Sequence, residues 1–107
     1  MSAMVFYVTA SHREEALQLA RTLVEEQLIA CGNVQEGMTS VYHWEGAVRQ
    51  EGEAVLIMKS RSELSERLIA RVKELHSYDC PCIIGWPIAA ANPDYVDWIR
   101  AETAPEK

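Results

Sequence analysis

Asn33 to Met58, NVQEGMTSVYHWEGAVRQEGEAVLIM, is the stretch that decides the fold. Polar and apolar residues mix from Asn33 to Trp44, Glu45-Gly46 interrupts, and Val48 leads on to the apolar run Val55-Leu56-Ile57-Met58, the pattern of a β-hairpin. A strand of about 12 residues at roughly 3.3 Å each spans on the order of 40 Å. A domain of this size has a radius of gyration of about 13 Å. The distal end, from Tyr42 to Glu51, is therefore expected to protrude as an arm carrying the aromatic residues Tyr42 and Trp44. An unprotected long edge invites aggregation, so such an arm calls for a partner, most simply another copy of the chain. The alternative is a bent hairpin folded back on its own domain.

Outward from the hairpin, residues 4–10 (MVFYVTA) are apolar, β-branched and aromatic, as suits a buried strand. Ser11-His12-Arg13-Glu14 has the form of a capping box, and Ala16, Leu19, Ala20, Leu23, Val24 and Leu28 follow at helical spacing, so a first helix is expected to end near Gly32. On the other side, Ser60 to Glu63 repeats the capping-box form, and Leu64, Leu68, Val72 and Leu75 mark one face of a second helix ending around His76. Cys82 to Ile88 reads as a strand whose Pro87 places it at an edge or bulge. Asn92-Pro93-Asp94 supplies an N-cap and a first-turn proline for a C-terminal helix bearing Tyr95, Trp98 and Ile99. The tail Ala104-Pro105-Glu106-Lys107 has nothing to bury and is expected to fray. The order β-α-β-β-α-β-α is a split βαβ: an α+β, ferredoxin-like sandwich with an extra C-terminal helix, one domain over residues 1–107.

Composition sets the bounds on function. The 107 residues are 49% apolar and 24% charged, ordinary values for a globular chain with one core. A net charge of −6 with ten scattered basic residues opposes binding to nucleic acid or to anionic membrane surfaces. The N-terminus, MSAMVFYV, shows no basic leader and only a short apolar run, so a cytoplasmic location is expected. Cys31, Cys80 and Cys82 make an odd count, expected to be thiols in a reducing compartment. No Gly-rich phosphate loop, nucleophile elbow or His-Glu-x-x-His segment is present, and a Cys-His pair from Cys80 or Cys82 with His76 lacks an orienting third residue, so no enzymatic activity is expected.

Three stretches together resemble the CutA family of divalent-cation-tolerance proteins. Ala20 to Val34 (ARTLVEEQLIACGNV) is similar to the family's first helix and its exit. Thr39 to Gly46 (TSVYHWEG) resembles its Ser-x-Tyr-x-Trp-x-Gly hairpin tip. His76-Ser77-Tyr78-Asp79-Cys80-Pro81 resembles its His-x-Tyr-x-x-Pro turn, followed by Asp94 to Ile99 in the last helix. The resemblance implies a cytosolic homotrimer whose hairpins pair between subunits, linked to tolerance of copper and other divalent metal ions. It also implies a likeness of fold to trimeric PII-type signalling proteins, where clefts between subunits bind small ligands. The chain departs from the family pattern at three positions: Val8 stands for a first-strand cysteine, Cys82 for the glutamate after the turn proline, and Leu75 for a histidine preceding His76.

The resemblance puts metal contact at His76, where a helix-terminal imidazole lies beside a turn offering the thiols of Cys80 and Cys82 for copper or another divalent ion. The other reading of His76 is an imidazole serving the helix end, and of the two cysteines, small apolar packing residues. Cys31 is expected to close the first helix within the core, and His43 to lie in an interface. His12 is given no role. Tyr42, Trp44, Trp86 and Trp98 are the candidate interface anchors, and Glu45, Glu51 and Glu53 are expected on one face of the hairpin. If metal is absent, the expected function is that of a PII-like small-molecule sensor or a docking scaffold for a protein partner.

Overall fold

The structure is a computed structural model that describes residues 2–104. Its elements are β1 (Ala3–Ala10), α1 (Arg13–Glu25), β2 (Cys31–Trp44), β3 (Ala47–Arg61), a 3-10 turn (Ser62–Leu64), α2 (Ser65–Leu75), β4 (Ile83–Pro87) and α3 (Pro93–Glu102). The four strands form one antiparallel sheet in the order β2-β3-β1-β4, the ferredoxin-like arrangement expected from the element order. The expected edge position of the last strand is realised, with β4 pairing β1 alone.

The sheet has two unlike faces because side chains alternate along each strand. Phe6, Val8 and Ala10 of β1, with Ala54, Leu56 and Met58 of β3, point to the inner face. There they meet Ala16, Leu19, Ala20 and Leu23 of α1 and Leu68 and Val72 of α2 in a closed core. Burying a side chain such as Leu56 or Phe6 contributes roughly 1.5–3 kcal/mol. The opposite face carries Tyr7 and Thr9 and is covered only at one end, by α3. Ile99 of that helix packs with Ala3 and Ala30.

The hairpin turns tightly. Glu45 (φ 49°) and Gly46 (φ 81°) both have positive φ between the paired residues Trp44 and Ala47, the two-residue loop whose twist matches the strands it joins. The molecule measures 44 × 26 × 23 Å, and every residue from Val41 to Gly52 is exposed; the bent-back alternative is not what the chain adopts. A bulge interrupts the β2–β3 register between Gln35 and Met38, where Gly37 has φ 85°. Two β2 residues there face one on β3, which re-phases the strand so that Ser40, Tyr42 and Trp44 share a face with Glu51 and Glu53. Glu45 does not join those two carboxylates on a strand face, because it sits in the turn.

Both expected capping boxes are replaced by other devices. At α1 the N-cap is His12, whose Nδ1 accepts from the Glu15 amide, so a residue given no role in the sequence holds the helix start. The carboxylate that reaches back is Glu15, not Glu14: its Oε1 accepts from the Ser11 amide (2.9 Å) and hydroxyl (2.7 Å). Ser60 is a buried β3 residue donating to the Leu28 carbonyl at 2.7 Å, and α2 starts only after the 3-10 turn. α1 ends at Glu25, with Gln27 at φ 61°, well short of Gly32. Cys31 therefore opens β2, partly exposed, instead of closing a helix. The expected α3 cap is present, Asn92 Oδ1 accepting from the Asp94 amide at 3.1 Å. Ala104, expected to fray, donates its amide to the Gln27 carbonyl at 2.7 Å; the rest of that tail, residues 105–107, lies outside the described residues.

Gly85 faces Phe6 across the β1–β4 pair, and a Cβ built on it would lie 2.5 Å from the Phe6 ring. Gly85→Ala is expected to destabilise the protein by about 1–3 kcal/mol through overpacking, read as a lower urea midpoint with an unchanged slope.

Candidate functional site

The uncovered end of the outer face forms a cleft of about 660 Å³. Its floor is Tyr7 and Thr9 of β1, one side is the arm, and the other is the turn that links α2 to β4. That turn is held by His76. Its Nδ1 faces the Tyr78 amide at 3.1 Å and so accepts, which leaves Nε2 to carry the proton and donate to the Thr9 carbonyl at 2.7 Å. Glu15 adds a second tie, accepting from the Ser77 amide at 2.9 Å. The Glu15 carboxylate also lies 3.7 Å from His76 Nδ1; with Nδ1 an acceptor, the ring is neutral and this contact is not an ion pair.

Burial alone would raise the Glu15 carboxyl, but the hydrogen bonds from Ser11 and Ser77 outweigh it and hold it at about 2. Tyr78 stacks obliquely on His76 with ring centroids 4.6 Å apart, and its hydroxyl donates to Glu53 Oε2 at 2.6 Å. Burial, and then this bond to a carboxylate, push the Tyr78 hydroxyl well up. The other Glu53 oxygen accepts from the Ser40 hydroxyl at 2.5 Å. Partial desolvation against the wall, and then the Glu53 charge, push the Cys82 thiol up.

Of the residues singled out from the sequence, Cys80 and Cys82 are both exposed and both line this cleft, as does Asp79. His76 is buried behind the wall with both ring nitrogens engaged, so it has no lone pair free to meet those thiols in this arrangement. No group of three or more His, Cys, Asp or Glu side chains is gathered for a metal ion among the described residues. Val8, where the resemblance would put a cysteine, is fully buried on the inner face, away from the cleft. Tyr42, Trp44, Trp86 and Trp98 are all more than a third exposed, Tyr42 and Trp44 on the arm and Trp86 on the outer side of β4. Trp98 stacks on Tyr95 with centroids 5.5 Å apart. The sequence reading missed Glu53, Tyr78 and Glu15 as a connected set, since they stand 25 to 62 residues apart from their partners.

Glu15 ties α1 to the cleft wall, and folding lowers its pKa. Its contribution to stability, roughly 2–3 kcal/mol, is present in full above the unfolded value of 4.5 and is lost as the pH falls towards about 2. In urea unfolding, Glu15→Gln is expected to be less stable than the parent chain at pH 7, with the gap closing as the pH is lowered to 2.5. Glu53→Gln removes a negative charge beside Cys82, so the thiol's titration is expected to move down towards the ordinary thiol range, measured by the pH dependence of its alkylation rate.

The family described as "CutA1 divalent ion tolerance protein" matches residues 4–102. Over 101 residues the chain is 41% identical to "Protein CutA, chloroplastic" of Arabidopsis thaliana, covering 94% of this chain and 56% of that protein. Over 99 residues it is 41% identical to "Divalent-cation tolerance protein CutA" of Thermus thermophilus, covering 92% of this chain and 96% of that one. The chain thus spans little more than half the length of the plant relative and nearly all of the bacterial one. Among solved structures it is similar to CutA1 from Oryza sativa, with a TM-score of 0.94 at 38% identity over 97% of this chain and 95% of that one. Sheet order, element order and sequence agree, and the chain belongs to the CutA1 divalent ion tolerance family.

Proposed function

We propose that the protein is a cytosolic, non-enzymatic homotrimer that supports tolerance of copper and other divalent metal ions by weak, reversible uptake at the cleft. The observation that carries this reading is the wall itself: the exposed thiols of Cys80 and Cys82 sit in one cleft with the carboxylates of Asp79, Glu51 and Glu53, and no basic side chain lines it among the described residues. Thiolates suit Cu(I) and other soft or borderline ions, and the surrounding negative charge favours any cation. Weakness follows because no ligand cage is assembled among the described residues: donors must be gathered and thiols deprotonated at the moment of binding. His76 serves by positioning the turn, and joins the ligands only if the bonds to Thr9 and Tyr78 open.

The homotrimer reading is supported by exposed apolar surface in two places: Val41, Tyr42, Trp44 and Val48 on the arm, and Ile84 and Trp86 on the outer side of β4. Large apolar side chains left exposed at several places are covered in a stable assembly. A second reading, a PII-like sensor taking a small molecule, is favoured by one specific observation. The cleft has the volume of a small-molecule site, while His76 behind its wall is already committed to hydrogen bonds.

Native mass spectrometry of the reduced protein, titrated with Cu(I), Cu(II) and Zn(II), tests the first reading. The expected result is a trimer that takes up metal, with uptake lost in Cys80→Ser/Cys82→Ser and falling below neutral pH as thiols are protonated. A trimer that takes up none of the three ions would overturn it.

A further inference from the structure

We infer that the hydrogen bond from Tyr78 to Glu53 is a latch that holds the arm at the angle at which it engages a second copy of the chain. The inference deepens the homotrimer reading and rests on it for the identity of the partner. The arm needs such a device because its own backbone leaves the angle open. Strand β1 pairs with β3 only as far as Ala10–Ala54, so from Glu53 outward the hairpin is a ribbon of two strands. The bulge between Gln35 and Met38, with Gly37 at φ 85°, lies at the root of that ribbon. Gly52 follows it on the partner strand, and a Cβ built there would lie in open space. A bulge bends the strand that carries it, and a two-stranded ribbon by itself is only marginally stable in water.

Glu53 stands at this root, opposite Met38, and its two oxygens bind two different parts of the molecule. One accepts from the hydroxyl of Ser40, on the arm, at 2.5 Å. The other accepts from the hydroxyl of Tyr78, in the turn after α2, at 2.6 Å. Tyr78 is itself fixed: its amide donates to His76 Nδ1 at 3.1 Å, its ring packs on the imidazole, and His76 is bonded to the Thr9 carbonyl of β1. An unbroken path of hydrogen bonds therefore runs from β1 through His76, Tyr78 and Glu53 to Ser40 of β2. The link at its centre is a hydroxyl on a carboxylate, short and stronger than a bond between neutral groups. The Tyr7 hydroxyl, facing Met38 Sδ at 3.5 Å, adds a weaker contact at the same root. An arm already at its docking angle gives up less freedom when a second copy covers it; where only a fraction of arms stand at that angle, the apparent affinity falls by that fraction. The latch acts on the arm and on assembly, and the closed core around Phe6, Leu23 and Leu56 does not depend on it.

Tyr78→Phe, which removes the hydroxyl and keeps the ring, and Glu53→Ala, which removes the acceptor, test this together with the double variant. Subunit exchange between isotope-labelled and unlabelled protein is followed by native mass spectrometry, and deuterium uptake is compared between the amides of residues 41–52 and those of Phe6, Leu23 and Leu56. Each single substitution is expected to speed subunit exchange and arm deuteration, both by roughly tenfold, with the core amides at parent rates. In the Glu53→Ala background, Tyr78→Phe is expected to add nothing, because the two changes break one bond. Parent-like arm deuteration in Tyr78→Phe, core amides that speed up with the arm, or a full Tyr78→Phe effect in the Glu53→Ala background would overturn the latch. A loosened arm with parent-like subunit exchange would overturn its role in assembly. A parent chain that is monomeric would overturn the homotrimer reading instead, and the arm and core amides then decide the latch by themselves.

Discussion

The placement of the turn that walls one side of the cleft depends on one imidazole. His76 ends α2, lies buried, and spends both nitrogens on backbone: it donates to the Thr9 carbonyl of β1 and accepts from the Tyr78 amide two residues on. A buried polar group left unpaired costs roughly 1–3 kcal/mol, so these two bonds fix the direction in which the chain leaves the helix. Glu15 fixes it a second time from α1, through Ser77. With its start pinned to a helix and a strand, the turn from Ser77 to Cys82 stands as a wall over the outer end of β1, and the cleft exists because that wall cannot fall away.

The other wall depends on a single irregularity. A strand shifted by one residue turns its whole side-chain set to the other face. The bulge between Gln35 and Met38 makes that shift inside β2. It brings Ser40, Tyr42 and Trp44 to the side of Glu51, Glu53 and Tyr7, so aromatic rings and carboxylates line the same space. The inner face is untouched, since the bulge lies beyond the core pairs Val34–Leu56 and Gly32–Met58. Core and cleft are thus built on the same sheet without competing for side chains.

The two faces also divide the energetics. Inward, apolar side chains are closed off by α1 and α2, and the fold needs nothing further there. Outward, α3 covers one end through Ile99, anchored by Arg61 donating to Thr103 at 2.9 Å and by Ala104 donating to Gln27, and leaves Trp86, Ile84 and the arm open. The apolar residues left open are those that an assembly would cover, and the cleft opens beside them. Any subunit docking there becomes part of the cleft's surroundings, which makes assembly and ligand binding physically linked.

By itself the sequence determined the element order, the antiparallel sheet, the protruding hairpin, the Asn92 cap and the edge strand. These are local matters: period, turn residues and composition act over a few neighbouring positions. It misplaced the caps of α1 and α2, the end of α1 and the setting of Cys31, because Ser-x-x-Glu spacing does not say whether the serine lies at a helix start or, like Ser60, inside a strand bonded to the carbonyl of Leu28. Only the tertiary structure decided that His76 is turned inward to Thr9, 67 residues away, and that Tyr78 reaches Glu53 across 25. The reason is that a hydrogen-bond partner distant in the chain is chosen by strand register and by one bulge, and neither leaves a pattern in the residues it joins.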